Sequence, residues 1–405
     1  MRQSFPWQRR RAVQIALGIT ALIVVTDLIL LPLHIRGYGQ WLIAYLDGMS
    51  GILQFPGFLV AINAGLREGH TTTRPVWVFI VIVNFFMWAV GLRFALRMIF
   101  PRERATNDGE PGGLCREGGT SRRQILTWGL RTAVAGAGAV WAYSFFVETR
   151  LFRVSRRSLV INHLPAALHG LRVVQLTDIH HGPTLSLDYI RRVIDAANAL
   201  GPDLVLLTGD YVYRSDAYIE PVVAELSRLG GKIGVVGVLG NHDWWHDAAH
   251  ARDAFERASI PLIDNTRLFV STDRRIVRDR PGDGLCIAGV GDLWEDQTLF
   301  DEALGGVAEG MPRLLLSHNP DVAEDTRLMR HRVDLMLSGH THGGQCWVPG
   351  LGTPITPSKF GSKYASGLVQ GPSCRVFVSR GIGTTILPMR FAIPPEISVI
   401  DLVAT

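Results

Sequence analysis

The distribution of apolar residues changes partway along this chain of 405 residues. Long apolar segments occupy residues 12–33 and 76–92, and a weaker one, interrupted by Asp47, Pro56 and Asn63, covers residues 41–66. A fourth segment, residues 132–147, is shorter and rich in Ala and Gly. The first segment is long enough to span a bilayer core of about 30 Å. The pattern therefore predicts a membrane region with three to four apolar helices over residues 1–150.

From residue 151 to residue 405 the pattern becomes that of a soluble α/β domain. Short, β-rich apolar runs bounded by Gly and Pro are typical of buried strands. Five such runs end in a polar cluster: LRVVQLTDIHHG, PDLVLLTGD, IGVVGVLGNHD, MPRLLLSHNP and VDLMLSGHTH. Helices are predicted between them, for example over residues 187–199 and 221–229. Because ligand sites in open α/β sheets lie beyond the carboxyl ends of the strands, all five clusters fall where a site is expected.

The last cluster, GHTHGGQ, places His340 and His342 one residue apart among three glycines. In an extended segment, residues i and i+2 face the same way, about 6.6 Å apart. The glycines argue against a helix and favour a tight turn with little side-chain bulk. The motif predicts two imidazoles that lean into one space at a strand end. Taken alone, a polar loop that happens to carry two histidines explains it equally well.

Each of the other clusters also has a simple structural explanation. Gly-Asp after a strand is often only a turn, Asn-His-Asp can cap a helix, and a single histidine such as His318 is commonly a polar loop residue. These explanations do not account for five clusters in one domain, each at a strand end. The set as a whole therefore indicates a functional site that is rich in metal-ligand side chains.

The net charge of +5 does not indicate a nucleic-acid partner. Only three lysines occur, and many of the arginines flank apolar segments, as at residues 9–11 and 153–157. Such residues are typical of membrane-flanking anchors. The four cysteines have neither metal-ligand spacing nor the arrangement of a disulfide framework. We therefore expect a membrane partner and no nucleic acid.

The basic residues give conflicting indications about topology. The basic N-terminus and the arginine-bearing loop of residues 101–123 should both be cytoplasmic, which requires an even number of spans between them. SRRQIL, residues 121–126, resembles a twin-arginine export signal, and an ordinary positive flank of a membrane helix is the alternative. The arginines at residues 150–157 favour a cytoplasmic catalytic part. On balance we predict a multi-pass cell-membrane protein with an extracytoplasmic catalytic domain.

The motif order D-x-H, G-D, G-N-H-D, H, G-H-T-H resembles that of the calcineurin-like metallophosphoesterases, over roughly residues 171–402. GHTHGGQ and the tail SRGIGTTILPMRFAIPPEI are similar to a bacterial subgroup of membrane-anchored or exported phosphodiesterases. The resemblance implies an α/β fold, a four-layer αββα sandwich of two packed mixed sheets flanked by helices. We expect it over residues 151–405, preceded by the transmembrane helices.

The resemblance also implies a centre of two divalent metal ions, of Mn, Fe, Zn or Co, which suit mixed nitrogen and oxygen ligands better than Ca does. It assigns Asp178, His180 and His342 to one ion, Asn241, His318 and His340 to the other, and Asp210 to both. His242 would protonate the leaving oxygen or stabilise the transition state, and Asp243 would orient its ring. The substrate would be a phosphate ester.

Five residues near these motifs have less definite roles. Arg214 is either a phosphate contact or an exposed arginine at a helix start. His181 and His246 are expected around the site or on the surface. Trp244 and Trp245 are expected to pack beneath the loop, and the alternative is that they line a pocket for an apolar part of the substrate.

Together these features predict a membrane-anchored binuclear-metal phosphoesterase that cleaves phosphodiester or pyrophosphate bonds. A lipid-linked or envelope substrate is expected, such as a precursor of the UDP-diacylglucosamine type. A catalytically silent membrane sensor or scaffold with the same fold is the alternative, although such proteins usually lack one or more ligands. A transporter would fit only the first part of the chain, which has no internal repeats. The motifs leave the ester class and the oligomeric state open.

Overall fold

The computed structural model describes residues 122–405. The apolar segments predicted at residues 12–33, 41–66 and 76–92 lie outside the described residues. The chain divides into two compact units, Met1–Val140 and Trp141–Thr405. Helix α1 (Arg122–Phe146) begins ahead of the apolar segment predicted at residue 132. Within the described range, only Thr127–Arg150 has the length and composition needed to cross a bilayer.

Two mixed β-sheets form the body of the second unit. In spatial order, the first contains β1 (Arg153–Ile161), β12 (Glu396–Ala404), β2 (Leu171–Leu176), β3 (Leu204–Thr208) and β4 (Gly234–Val238). The second contains β10 (Gly367–Gln370), β11 (Arg375–Val378), β9 (Leu335–Ser338), β8 (Arg313–Leu316), β7 (Gly284–Gly289), β5 (Thr266–Ser271) and β6 (Ile276–Val277). β2, β3 and β4 are parallel, as are β7, β8 and β9. The carboxyl ends within each parallel set therefore lie along one edge of its sheet.

The helices follow the apolar periodicity of the sequence. α2 (Leu187–Ala199) has the predicted bounds, and the Ser186 hydroxyl caps it by accepting a hydrogen bond from the backbone N–H of Tyr189. α3 (Ile219–Leu226) begins and ends slightly before the predicted 221–229. α4 (Asn241–Arg257) starts directly at the polar cluster after β4 and is kinked at Asp247. α5 (Phe300–Leu304) is a single short turn of helix.

Three apolar clusters separate the layers of the sandwich. Along β3, Leu204 and Leu206 point into the space between the sheets, whereas Val205 and Leu207 face α2, α3 and α4. The outer face of the second sheet, including Met336 of β9, is covered by α5 and by short 3₁₀ turns. Since both faces of the central strands are buried, these strands are continuous apolar runs in the sequence. The predicted α/β fold with mixed sheets is confirmed.

Leu206 offers a test of the inter-sheet core, because its side chain is fully buried there. Leu206→Ala is expected to lower the free energy of unfolding by about 2–5 kcal/mol, through lost burial and the cavity left behind. Thermal melting of the full chain in detergent should show a clear fall in the melting temperature. Leu368→Ala, on β10 where the side chain is 46% exposed, is the matched control and should change stability by about 0.5 kcal/mol or less. Equal shifts for the two variants would contradict this packing.

Candidate metal centre

The seven predicted metal-ligand residues are all buried beyond the carboxyl ends of five parallel strands: Asp178 and His180 after β2, Asp210 after β3, Asn241 after β4, His318 after β8, and His340 and His342 after β9. Three overlapping groups have ligand atoms within 4.8 Å of one another. They are Asp178–His180–His342, His180–Asp210–His242 and Asp210–His318–His340. Asp210 and His180 each belong to two groups, so the arrangement forms one continuous cluster.

The ring nitrogens of the cluster converge on one another. His180 Nε2 lies 3.0 Å from His342 Nε2, and His318 Nε2 lies 3.2 Å from His340 Nδ1. The carboxylate of Asp210 lies 3.1 Å from His318 Nε2 and 3.5 Å from His180 Nε2. Imidazole nitrogens and carboxylate oxygens held this close direct several lone pairs into the same small volume. The donor set fits a divalent transition metal, which neutral imidazoles and carboxylates bind well.

Asn241 completes the set in a different way. Its Oδ1 atom is buried and has no hydrogen-bond partner among the described residues. Leaving a buried acceptor unsatisfied costs about 1–3 kcal/mol. A metal ion would satisfy this amide oxygen.

The backbone at the candidate ligands adopts an uncommon conformation. Five of them have φ in the left-handed region: Asp178 (51°), His180 (50°), Asp210 (58°), His340 (70°) and His342 (52°). For residues other than glycine this conformation costs about 1–3 kcal/mol each, and it is found preferentially at functional sites. The favourable folding free energy of the two sheets therefore offsets the backbone strain at these five candidate ligands.

The extended geometry predicted for the GHTHGGQ histidines is wrong. Because both have positive φ, their rings enter different groups: His342 joins the group of Asp178, and His340 joins that of His318. Gly339 permits this turn, since a Cβ atom there would collide with the carboxylate of Asp178. The same carboxylate accepts the backbone N–H of His340 at 3.0 Å.

Protons on the side chains of the cluster balance its negative charge. Burial raises the pKa of Asp178 to about 7. Burial alone would lower the pKa of His318, but the neighbouring Asp210 carboxylate outweighs it and raises that pKa to about 10. Protons thus offset the negative charge of two buried carboxylates. A bound metal cation would replace these protons and keep both carboxylates ionised.

His242 lies at the edge of the cluster and is only half-buried. The centre of its ring is 4.7 Å from that of His180 and 4.5 Å from that of Trp245. Its backbone N–H donates to Asp210 at 2.8 Å, whereas its buried Nδ1 has no partner among the described residues. Burial lowers its pKa to about 4. The ring is thus placed where the cluster meets solvent.

Asp243 does not orient the ring of His242, contrary to the prediction. Its carboxylate accepts three backbone N–H bonds, from Asp210 and Gly240 at 2.9 Å and from Tyr211 at 2.8 Å. These bonds tie the loop after β3 to the start of α4. Asp243 therefore positions the backbone of Asp210, Tyr211 and Gly240.

The two adjacent tryptophans behave differently from each other. Trp244 packs against the apolar cluster beneath α4, as predicted. The prediction that Trp245 packs beneath the loop is wrong. Its side chain is 42% exposed and donates its indole N–H to Glu295 at 2.6 Å. It stacks on Trp294 with ring centres 6.3 Å apart, and Trp294 lies 4.4 Å from His340. Trp245 and Trp294 form an exposed aromatic wall beside the cluster.

The remaining neighbours of the motifs lie outside the cluster. His181 pairs through Nδ1 with the carbonyl of Leu185, and His246 Nε2 accepts the backbone N–H of Arg214. Arg214 is exposed, and its guanidinium lies over the ring of Tyr213. It precedes the 3₁₀ turn Asp216–Tyr218 and is not at a helix start.

Sequence reasoning missed three residues of this site. Asp292 and Trp294 follow β7 in the stretch GDLWED. This is a sixth polar cluster at a strand end, in addition to the five predicted from the sequence. Asp292 is buried, and its Oδ2 atom has no partner among the described residues. Arg390 is fully buried, donates to the carbonyl oxygens of Arg380 and Gly383, and has Nη2 3.4 Å from His342 Nδ1. PMRF in the tail was the only signal for it.

The chain is similar to several known proteins. The family model described as calcineurin-like phosphoesterase matches residues 171–344. Phosphodiesterase YaeI of Escherichia coli (strain K12) is 30% identical over 288 residues, which cover 70% of this chain and 99% of that protein. UDP-2,3-diacylglucosamine pyrophosphatase LpxG of Chlamydia trachomatis is 28% identical over 322 residues, covering 67% of this chain and 95% of LpxG.

One relative also covers part of the chain that precedes the described residues. A protein of Danio rerio named transmembrane protein with metallophosphoesterase domain is 28% identical over 332 residues. The match covers 80% of this chain and 71% of the fish protein. The motif order, the mixed-sheet fold and these similarities agree. The chain belongs to the calcineurin-like phosphoesterase family and is a metal-dependent phosphoric ester hydrolase.

Proposed function

We propose that this protein is a membrane-anchored phosphoesterase with a binuclear metal centre that hydrolyses phosphodiester or pyrophosphate bonds. The main support is that Asp210 belongs to two groups of candidate ligands, one with His180 and one with His318 and His340. Asp178, His180 and His342 would hold one ion, Asn241, His318 and His340 the other, and Asp210 both. When bound, two such ions lower the pKa of a water and neutralise charge on phosphoryl oxygens.

His242 would act on the leaving group. Its ring stands beside His180 and Asp210, at the half-exposed edge of the cluster. From there it can hydrogen-bond to the ester oxygen opposite the attacking water and donate a proton to it. Asp243 would contribute by positioning the backbone around Asp210. Arg390 would contribute by positioning the ring of His342.

Three observations support a lipid-linked substrate. The aromatic wall of Trp245 and Trp294 offers apolar contact area next to the site of bond cleavage. The relative LpxG is named for a diacylated sugar nucleotide, and the fish relative is named a transmembrane protein. Thr127–Arg150 could cross a bilayer directly before the catalytic domain. A UDP-diacylglucosamine type precursor is the leading candidate.

The catalytic unit would face away from the cytoplasm. The arginine-rich segment of residues 101–123 leads into α1 in the sequence, and basic segments that flank a span favour the cytoplasmic side. A span over Thr127–Arg150 would then place the unit that follows it on the opposite side.

Metal binding tests the proposed ligand set. The full chain purified in detergent and equilibrated with Mn²⁺ should carry about two ions per chain, measured by mass spectrometry of the eluted metal. Asp210→Asn should lose at least one ion, because it removes the shared charge. Asp195→Asn, on the exposed face of α2, is the matched control and should keep both. A folded protein that binds no divalent metal would overturn the proposal.

Hydrolysis tests the role of His242. The full chain with Mn²⁺ should hydrolyse bis-p-nitrophenyl phosphate, and p-nitrophenyl phosphate serves as the monoester comparison. His242→Ala should lower kcat for the diester by about 10²–10⁴-fold while the metal content stays unchanged. Asn241→Ala should lower both activity and metal content. His250→Ala, a half-exposed residue of the same helix whose ring pairs with Glu220, should be active.

These measurements also separate the enzyme from a silent sensor or scaffold. Metal bound in full, with no hydrolysis of any diester or pyrophosphate tested, would favour the scaffold.

A further inference from the structure

We propose that residues 346–360, called here the interfacial loop, form a membrane-contacting surface that rests on the bilayer beside the candidate metal centre. The inference relies on the proposed membrane attachment and specifies how the site would meet a lipid-linked phosphate ester. The partner is the headgroup and upper acyl region of the bilayer itself.

The interfacial loop exposes an unusual number of large apolar side chains: Trp347, Val348, Leu351, Ile355 and Phe360. Leu351 is 69% exposed at the tip of a tight hairpin closed by hydrogen bonds between Val348 and Gly352. Burying a side chain of this size contributes about 1.5–3 kcal/mol, so its exposure leaves free energy available for contact. Clusters of this kind mark protein or membrane contact sites.

The base of the loop is linked through residues 390 and 391 to the end of the apolar span, and this link favours the bilayer as the partner. Trp347 donates its backbone N–H to the carbonyl of Phe391 at 2.9 Å. The preceding residue, Arg390, donates its own N–H to the carbonyl of Ser144 at 3.0 Å. Ser144 lies in the last turn of α1, within the candidate span Thr127–Arg150. If that span crosses a bilayer, the base of the loop lies where the chain leaves it.

The residues around this junction are those that favour a membrane interface. Trp141 and Tyr143 in the last turns of α1 are exposed, as is Trp347 in the loop. Tryptophan and tyrosine are enriched at the level of lipid headgroups. Lys359, one of only three lysines in the chain, is exposed beside Phe360 and would attract anionic headgroups.

The loop is also continuous with the candidate metal centre. It begins directly after the turn that carries His340 and His342, and the backbone N–H of Gln345 donates to the carbonyl of His342 at 3.0 Å. Contact of the loop with the bilayer would therefore hold that turn close to the headgroup layer. A phosphate ester attached to a lipid could then reach the cluster without leaving the membrane.

Fluorescence quenching in vesicles tests the contact. Leu351→Cys in the full chain would be labelled with the environment-sensitive probe NBD. Cys115→Ser and Cys346→Ser leave only Cys286 and Cys374 as native thiols, and both are buried. The chain would be reconstituted into phosphatidylcholine–phosphatidylglycerol vesicles with or without lipids carrying nitroxide on the acyl chain. Leu368→Cys, exposed on β10, is the matched control. Flotation of the vesicles shows that the chain is incorporated.

We expect the label at residue 351 to emit at shorter wavelength and to be quenched several-fold more by the nitroxide lipids than the label at residue 368. Equal quenching at the two positions in incorporated protein would overturn the proposal. A blue shift without quenching would also overturn it, because a protein partner or a second copy would then cover the loop.

The same samples test the proposed function independently of the loop contact. Absence of flotation would refute the membrane anchor, and absence of bis-p-nitrophenyl phosphate hydrolysis would refute the catalytic assignment. The quenching of incorporated protein does not depend on hydrolysis.

Discussion

The structure depends on one electrostatic constraint: carboxylates and imidazoles from five strands are buried at the same point with their lone pairs facing each other. Asp178 and Asp210 are almost fully removed from water, and His318 takes a proton to accommodate them. Such a cluster is unfavourable unless a cation occupies it. The rest of the domain supplies the free energy that holds these groups together, through two sheets with apolar layers on both faces.

Two buried side chains outside the ligand set hold the strained loops in place. The Asp243 carboxylate accepts backbone N–H groups from both the β3 loop and the start of α4. The Arg390 guanidinium donates to carbonyl oxygens around the turn of residues 380–383, beside His342. Both act on the main chain, whose conformation carries the positive φ angles. A ligand cluster assembled from loops thereby gains the rigidity of packed secondary structure.

The ligand cluster could be predicted from the sequence because each ligand residue lies directly after a strand that the sequence pattern identifies. Each apolar run is followed at once by its polar residues, and parallel strands bring such ends together without any knowledge of strand order. Trp245 shows where this reasoning fails. Its contact with Trp294 joins α4, which follows a strand of the first sheet, to the loop after β7 of the second sheet. The order of the strands, on which this contact depends, cannot be read from periodicity. The prediction for Asp243 is wrong for a similar reason, because the hydrogen-bond partners of its carboxylate are backbone groups that no motif encodes.

Arg390 connects the candidate metal centre to the end of α1 through a single residue. Its side chain packs beside His342, while its backbone N–H bonds to the last turn of α1 and the next residue, Phe391, pairs with Trp347. The end of the apolar span, the interfacial loop and one candidate metal ligand therefore share a short stretch of the tail. A displacement of the end of α1 would strain the bonds that hold His342. This arrangement gives a physical reason for the tail to be built around a fully buried arginine.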